Sequence, residues 1–127
     1  MADRADEPRS FLPLPHLEFQ ILVSLADAEL HGYAIVKEIG ARSKGASTPS
    51  TGSLYLAIAR LLENGLIAES DSDGDNGGRK KRVYHLSDLG RDVAQAESDR
   101  LGELSRLVDE RLRSREPVTT GGSRGQR

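Results

Sequence analysis

The stretch from Asp88 to about Arg113 limits what this chain can be. Apolar residues recur there at Leu89, Val93, Ala96, Leu101, Leu104, Val108 and Leu112, and charges of both signs fill the positions between them. That spacing predicts one long amphipathic helix. Ser87-Asp88 supplies its cap and a favourable first-turn carboxylate. Once the polar ends are set aside, roughly 100 residues are left to fold, enough for one modest core. A domain of that size cannot cover the whole stripe. Either a second copy lays its own helix against it, which is the natural cover, or the helix folds back on its own domain.

The remainder reads as short elements. Leu17, Ile21, Leu22 and Leu25 fall at helical spacing and predict a first helix from about His16 to Ala28. After a break at His31-Gly32, Tyr33, Ile35, Val36 and Ile39 give a second helix that ends near Arg42. Pro49-Ser50-Thr51-Gly52 reads as the start of a third, with either hydroxyl able to cap it. Leu54, Ile58, Leu61 and Leu62 share one face of that helix, Thr51, Ser53, Leu56, Arg60 and Glu63 the other, and Asn64-Gly65 stops it. Leu66 to Glu69 and Lys81 to Leu86 are strand candidates on either side of a loop rich in Asp and Gly. The expected class is mainly α with a small β-hairpin.

Three short helices, a hairpin and a long helix, in that order, describe a winged helix-turn-helix with a C-terminal dimerisation helix. In that architecture the third helix enters the major groove of DNA and the hairpin rests on flanking phosphates. The small residues Ser50, Thr51, Gly52 and Ser53 let the backbone come close to DNA, and their hydroxyls and the helix amides can bind phosphate oxygen. Tyr55 can stack or donate its hydroxyl, although it also suits a half-buried core position. Arg60 can reach a phosphate or a guanine edge. Arg79, Lys80, Lys81 and Arg82 form an unbroken basic run on the hairpin.

The formal net charge of −2 argues against binding polyanions by bulk charge, so distribution decides. Asp71, Asp73 and Asp75 in the hairpin loop would repel phosphate, and the loop tip is expected to point away from DNA or to soften affinity. These aspartates fit the first, third and fifth positions of a calcium loop, but Asn76 and Arg82 stand where glycine and a bidentate glutamate are needed. With no cysteine, no disulfide or thiolate metal site is possible. His16, His31 and His85 show no ligand spacing, so no metal or cofactor is expected. His31 should cap the second helix or bond to backbone. No phosphate-binding glycine loop, nucleophile elbow or zinc-protease helix is present, and no enzyme activity is expected. No apolar run approaches the ~20 residues of a membrane helix, and Met1 to Pro8 is too polar for a signal peptide. Both point to a soluble cytoplasmic protein.

Four segments, Leu30-His-Gly-Tyr-Ala-Ile35, Ser53-Leu-Tyr55, Arg60-Leu-Leu-Glu-Asn-Gly-Leu-Ile67 and Arg82-Val-Tyr-His-Leu-Ser-Asp-Leu-Gly90, together resemble the PadR family of transcriptional regulators. The resemblance runs from about Leu14 to Leu112 and matches short members with a single C-terminal dimerisation helix. It implies a recognition role for the third helix, DNA contacts at Ser50, Thr51, Ser53, Tyr55 and Arg60, and wing contacts at Arg79 to Arg82. It further implies a repressor, often one released by a small molecule. Double-stranded DNA, a second copy of the chain and a small-molecule effector are thus the expected partners. The long helix has no aromatic residue and the chain no tryptophan, so a flat aromatic effector stacked between two such helices is not supported. One departure stands out: the family usually has proline directly after the tyrosine of the third helix, and here the residue is Leu56. Two other readings stay open, a winged helix used for protein contacts and a ligand-sensing scaffold without DNA affinity. The organisation expected is a flexible arm at 1–12, a DNA-binding domain at 13–87, a dimerisation helix at 88–115 and a disordered tail at 116–127.

Overall fold

A computed structural model describes residues 7–46, 48–71 and 82–114. Four helices and a small sheet follow in the order α1 (His16–Ser24), β1 (Leu30–His31), α2 (Gly32–Arg42), α3 (Thr51–Glu63), β2 (Ile67–Asp71), β3 (Arg82–Leu86) and α4 (Asp88–Arg113). The chain divides into two units between Glu97 and Ser98, within α4.

In the first unit the apolar faces of α1, α2 and α3 meet through Ile21, Leu22, Ile35, Leu54, Ile58 and Leu61, each almost wholly buried. Polar contacts fix the same packing. Arg42, near the end of α2, donates to the Gln20 carbonyl at 3.0 Å and to the Ser24 hydroxyl at 3.2 Å, so one guanidinium ties α2 to α1.

The sheet has three antiparallel strands in the order β1-β3-β2, one more than the expected hairpin. Leu30 pairs with Tyr84 and His31 with Val83, so of the break expected at His31-Gly32 the histidine belongs to a strand and the glycine opens α2. The same pairing explains why α1 ends at Ser24 rather than at Ala28. The chain must leave the helix in time to reach β1, and it closes the last turn with the Ala26 amide on the Val23 carbonyl at 3.1 Å. Along β3, Tyr84 and Leu86 point into the core while Arg82 stays exposed, the period-two alternation expected of a half-buried strand.

Part of the stretch expected as a flexible arm at 1–12 has regular structure. Pro8–Phe11 forms a turn of 3-10 helix, and Phe11 and Leu12 pack against the core. Proline at the first helical position suits that turn because its missing amide would have had no partner. Residues 1–6 and the expected tail at 116–127 lie outside the described residues.

The junction with α4 is tight. The Ser87 hydroxyl donates to the Gly65 carbonyl at 2.6 Å and accepts from the Gly90 amide at 2.9 Å. A β-carbon on Gly90 would collide with the Leu66 carbonyl oxygen and lie 2.8 Å from its carbon, so only glycine lets the helix come this close to the backbone before β2. Val93 is completely buried, and Glu97 accepts from the Leu14 amide at 3.1 Å. Among the described residues no helix is long and apolar enough to cross a membrane.

Candidate nucleic-acid interface

The start of α3 is held by its own sequence. Ser50 sits in extended backbone (φ −73°, ψ 159°), its hydroxyl accepts the Ser53 amide at 3.1 Å and donates to the Ser53 hydroxyl at 3.0 Å. The hydroxyls of Ser50 and Ser53 therefore form one capped pair. The amides of Thr51 and Gly52 have no intrahelical acceptor by the geometry of a helix start, and Ser50, Thr51, Gly52 and Ser53 are exposed. Positive helix-end potential and unsatisfied amides favour an anion there.

Beside it lies a cleft of about 440 Å³ lined by His31, Gly32, Tyr33, Tyr55, Arg82 and Tyr84. Sheet register makes it, because pairing β1 with β3 carries His31 next to Val83 and so towards Arg82. The His31 ring faces the Arg82 carbonyl at 3.4 Å. Its side chain does not cap α2. Tyr55 closes the cleft from α3. Its phenol occupies the space over Gly32, where a β-carbon would lie 2.7 Å from Cζ. Tyr55 is 45% exposed, so it neither sinks into the core nor stands free. Tyr84 is buried, and burial together with the Glu69 carboxylate pushes its phenol above the ordinary tyrosine range. Lys37 lies 5.5 Å from the centre of the Tyr33 ring, within cation–π reach. Arg82 holds Glu69 at 3.5 Å, a pair exposed on both sides and correspondingly weak. The cleft is thus walled by hydroxyls, an imidazole and a guanidinium, groups that donate hydrogen bonds to an anionic oxygen.

The family model for the transcriptional regulator PadR-like family matches residues 21–96. The chain belongs to that family. The PadR-like match takes in α2, α3, the sheet and the opening turns of α4, which are the elements that build the exposed helix start and the cleft. A protein of 37.1 kDa in transposon Tn4556 of Streptomyces fradiae, described as uncharacterized, is 36% identical over 90 residues. The chain spans 24% of that relative's length, and 71% of the chain is covered. Among solved structures, a PadR-like transcriptional regulator of Bacillus cereus is 25% identical with a TM-score of 0.65, covering 76% of this chain and 90% of its own. Bacillus subtilis PadR in complex with operator DNA is 25% identical with a TM-score of 0.58, covering 70% and 48%. A PadR family regulator of Clostridium difficile, 21% identical with a TM-score of 0.67 over 77% and 99%, shares the fold. The fold is the PadR-like winged helix, mainly helical with a small antiparallel sheet.

Of the residues singled out from sequence, Ser50, Thr51, Ser53, Tyr55 and Arg82 lie on the helix start or around the cleft. Arg60 does not join them: its guanidinium reaches Glu18 on α1 at 3.7 Å. Glu18 is buried, and burial raises its pKa while Arg60 opposes the rise. Arg79, Lys80, Lys81 and the loop acids Asp73 and Asp75 lie outside the described residues. Sequence reasoning missed Tyr33 and Tyr84 as partners of Tyr55 in the cleft, and Lys37 beside Tyr33. A Gly-Tyr pair opening α2 was the available signal, but what the glycine accommodates is a side chain from α3.

The stripe read as one dimerisation surface is also divided. Val93 is fully buried in the first unit, Leu89 packs against the same core and Ala96 is half-buried. Those residues are spent on the fold. In the second unit, Leu101, Leu104, Val108 and Leu112 are 37%, 48%, 47% and 71% exposed, and Leu107, not singled out before, is 40% exposed.

Proposed function

We propose that this PadR-like regulator binds double-stranded DNA in a sequence-specific manner and acts as a homodimeric repressor on a near-palindromic operator. The observation that carries the reading is the exposed, Ser50-capped start of α3 beside the Tyr33–Tyr55–Arg82 cleft. The likeness to Bacillus subtilis PadR, solved with operator DNA, supports it. Thr51 and Ser53 and the first-turn amides approach the duplex. The cleft takes a backbone phosphate, with Tyr55 and Arg82 donating to it. The basic run Arg79, Lys80, Lys81 and Arg82 adds sequence-independent attraction, and Arg60 keeps donors beyond its carboxylate partner for the flank of the site.

Dimerisation rests on the exposed residues of the second unit, Leu101, Leu104, Val108 and Leu112, as a seam between two copies of α4. Two recognition helices on one side of a duplex would then read half-sites about one turn, ~34 Å, apart. A small-molecule effector and a cytoplasmic location complete the proposal.

The test is a titration of the full chain against genomic fragments, including the DNA upstream of its own gene, by fluorescence anisotropy. A preferred fragment should emerge whose affinity falls linearly in log–log plots against salt. Alanine at Arg79 to Arg82 should lower affinity for all sequences alike. Equal affinity for every fragment and for random duplex at moderate salt would sink the regulator reading.

A further inference from the structure

The face of α3 turned away from the core has an unusual make-up for a helix that reads bases. Leu54, Ala57, Ile58 and Leu61 are the buried positions. Opposite them run Gly52, Leu56, Ala59 and Glu63, spaced four, three and four apart, which is a single ridge of a helix; all four are exposed. Leu56 is 57% exposed. A β-carbon on Gly52 would meet nothing within 4 Å, so nothing internal to the fold explains the glycine. The hydrogen-bonding side chains of α3 lie to either side. Ser53 is paired with Ser50, Tyr55 leans over Gly32, and Arg60 reaches Glu18. Glu63, the last residue of the helix, is at the end remote from the turn that leads into a groove.

The middle of the ridge therefore offers no donor or acceptor to a base edge. It offers an aliphatic side chain flanked by small residues. In the major groove the matching apolar group is the 5-methyl of thymine, whose contact with a nonpolar side chain is one of the standard ways of telling thymine from the other bases. We infer that Leu56, with Gly52 and Ala59 leaving room beside it, reads thymine through its methyl group, and that each operator half-site carries a thymine under Leu56. The inference rests on the DNA-binding reading above and adds the base class recognised.

The experiment starts from duplexes that the full chain selects from a random-sequence library. Each is resynthesised with deoxyuridine at one thymine at a time, a change that keeps every hydrogen-bonding group and removes only the methyl. Binding should weaken about fourfold per contacted methyl, the loss expected for one buried carbon, at one or two positions in each half-site. In Leu56→Ala that sensitivity should drop below about twofold while the thermal midpoint stays unchanged, because the side chain is exposed. The inference is overturned if every deoxyuridine duplex binds as tightly as its thymine parent, or if Leu56→Ala keeps the full sensitivity. A selection that yields no preferred duplex overturns the DNA reading itself, an outcome distinct from the other two.

Discussion

α4 puts similar residues to two different uses. Up to Glu97 its side chains and backbone are claimed by the first unit: Gly90 against the Leu66 carbonyl, Val93 in the core, Glu97 on the Leu14 amide. From Ser98 onward Leu101, Leu104, Val108 and Leu112 keep between 37% and 71% of their surface exposed. The difference teaches that an apolar stripe records burial without saying by what. The part used by the fold is marked by a glycine and a buried acid. The part left over also has a glycine, Gly102, but a β-carbon there would meet nothing within 4 Å, and its aliphatic side chains stay exposed.

The comparison breaks most visibly at Gly90. Gly90→Ala forces a β-carbon into backbone, which cannot step aside as a side chain end would, and should cost about 3 kcal/mol or more of stability. A urea midpoint unchanged from the parent would show that α4 is not held this closely. In the other stretch, Leu104→Ser with Val108→Ser should leave the unfolding of the domain alone and act on self-association. Removing two half-exposed side chains from each copy should weaken the dimer at least about a hundredfold, ~2.7 kcal/mol. Sedimentation at tens of micromolar should then move from a two-chain to a one-chain mass. A parent chain that already sediments at single-chain mass would remove the dimer from the proposal.

The same division, claimed by the fold or left facing outward, applies to Arg60. Its pairing with buried Glu18 predicts that Arg60→Ala costs roughly 1 kcal/mol, a modest figure because the guanidinium is half exposed. The pH dependence carries the sign. Burial holds the Glu18 pKa above its unfolded value, so between the two the folded state binds more protons than the unfolded one. Stability from this group is therefore greatest below the ordinary glutamate value of about 4.3 and falls as pH rises through the raised folded value. Arg60→Ala removes the opposing charge and should carry that decline to higher pH, whereas Glu18→Gln should flatten it. Urea midpoints across the acid range check both. Identical profiles for the parent and Glu18→Gln would mean that the carboxylate is not buried as a charge.

What was legible follows the range of the forces involved. The α3 cap could be read because Ser50 and Ser53 are three residues apart. The ends of α2, α3 and α4 were equally local. β1 could not be read, since two residues show no alternation and their partner in β3 is more than fifty positions away. Arg60 looked like a groove residue because its partner Glu18 lies on another helix. The cleft was illegible for the same reason, its Tyr33, Tyr55 and Tyr84 coming from three elements. The stripe on α4 was misjudged for a reason the sequence did contain. Ala96 and Leu101 are five apart, and five residues turn a helix through about 500°, some 140° off line.

Two glycines carry the smallest and most discriminating prediction. Gly90 is required by what it touches; Gly52 touches nothing, and it lies inside a helix where glycine is disfavoured against alanine by about 1 kcal/mol. Gly52→Ala should therefore raise the stability of the chain by about 0.5–1 kcal/mol. If the start of α3 lies close to a duplex, the added methyl should also lower affinity for a preferred site while leaving the salt slope intact, since no charge has changed. A substitution that stabilises the fold and weakens binding separates a residue kept for an outside partner from one kept for the core. Higher stability with unaltered affinity would place the duplex elsewhere on the domain.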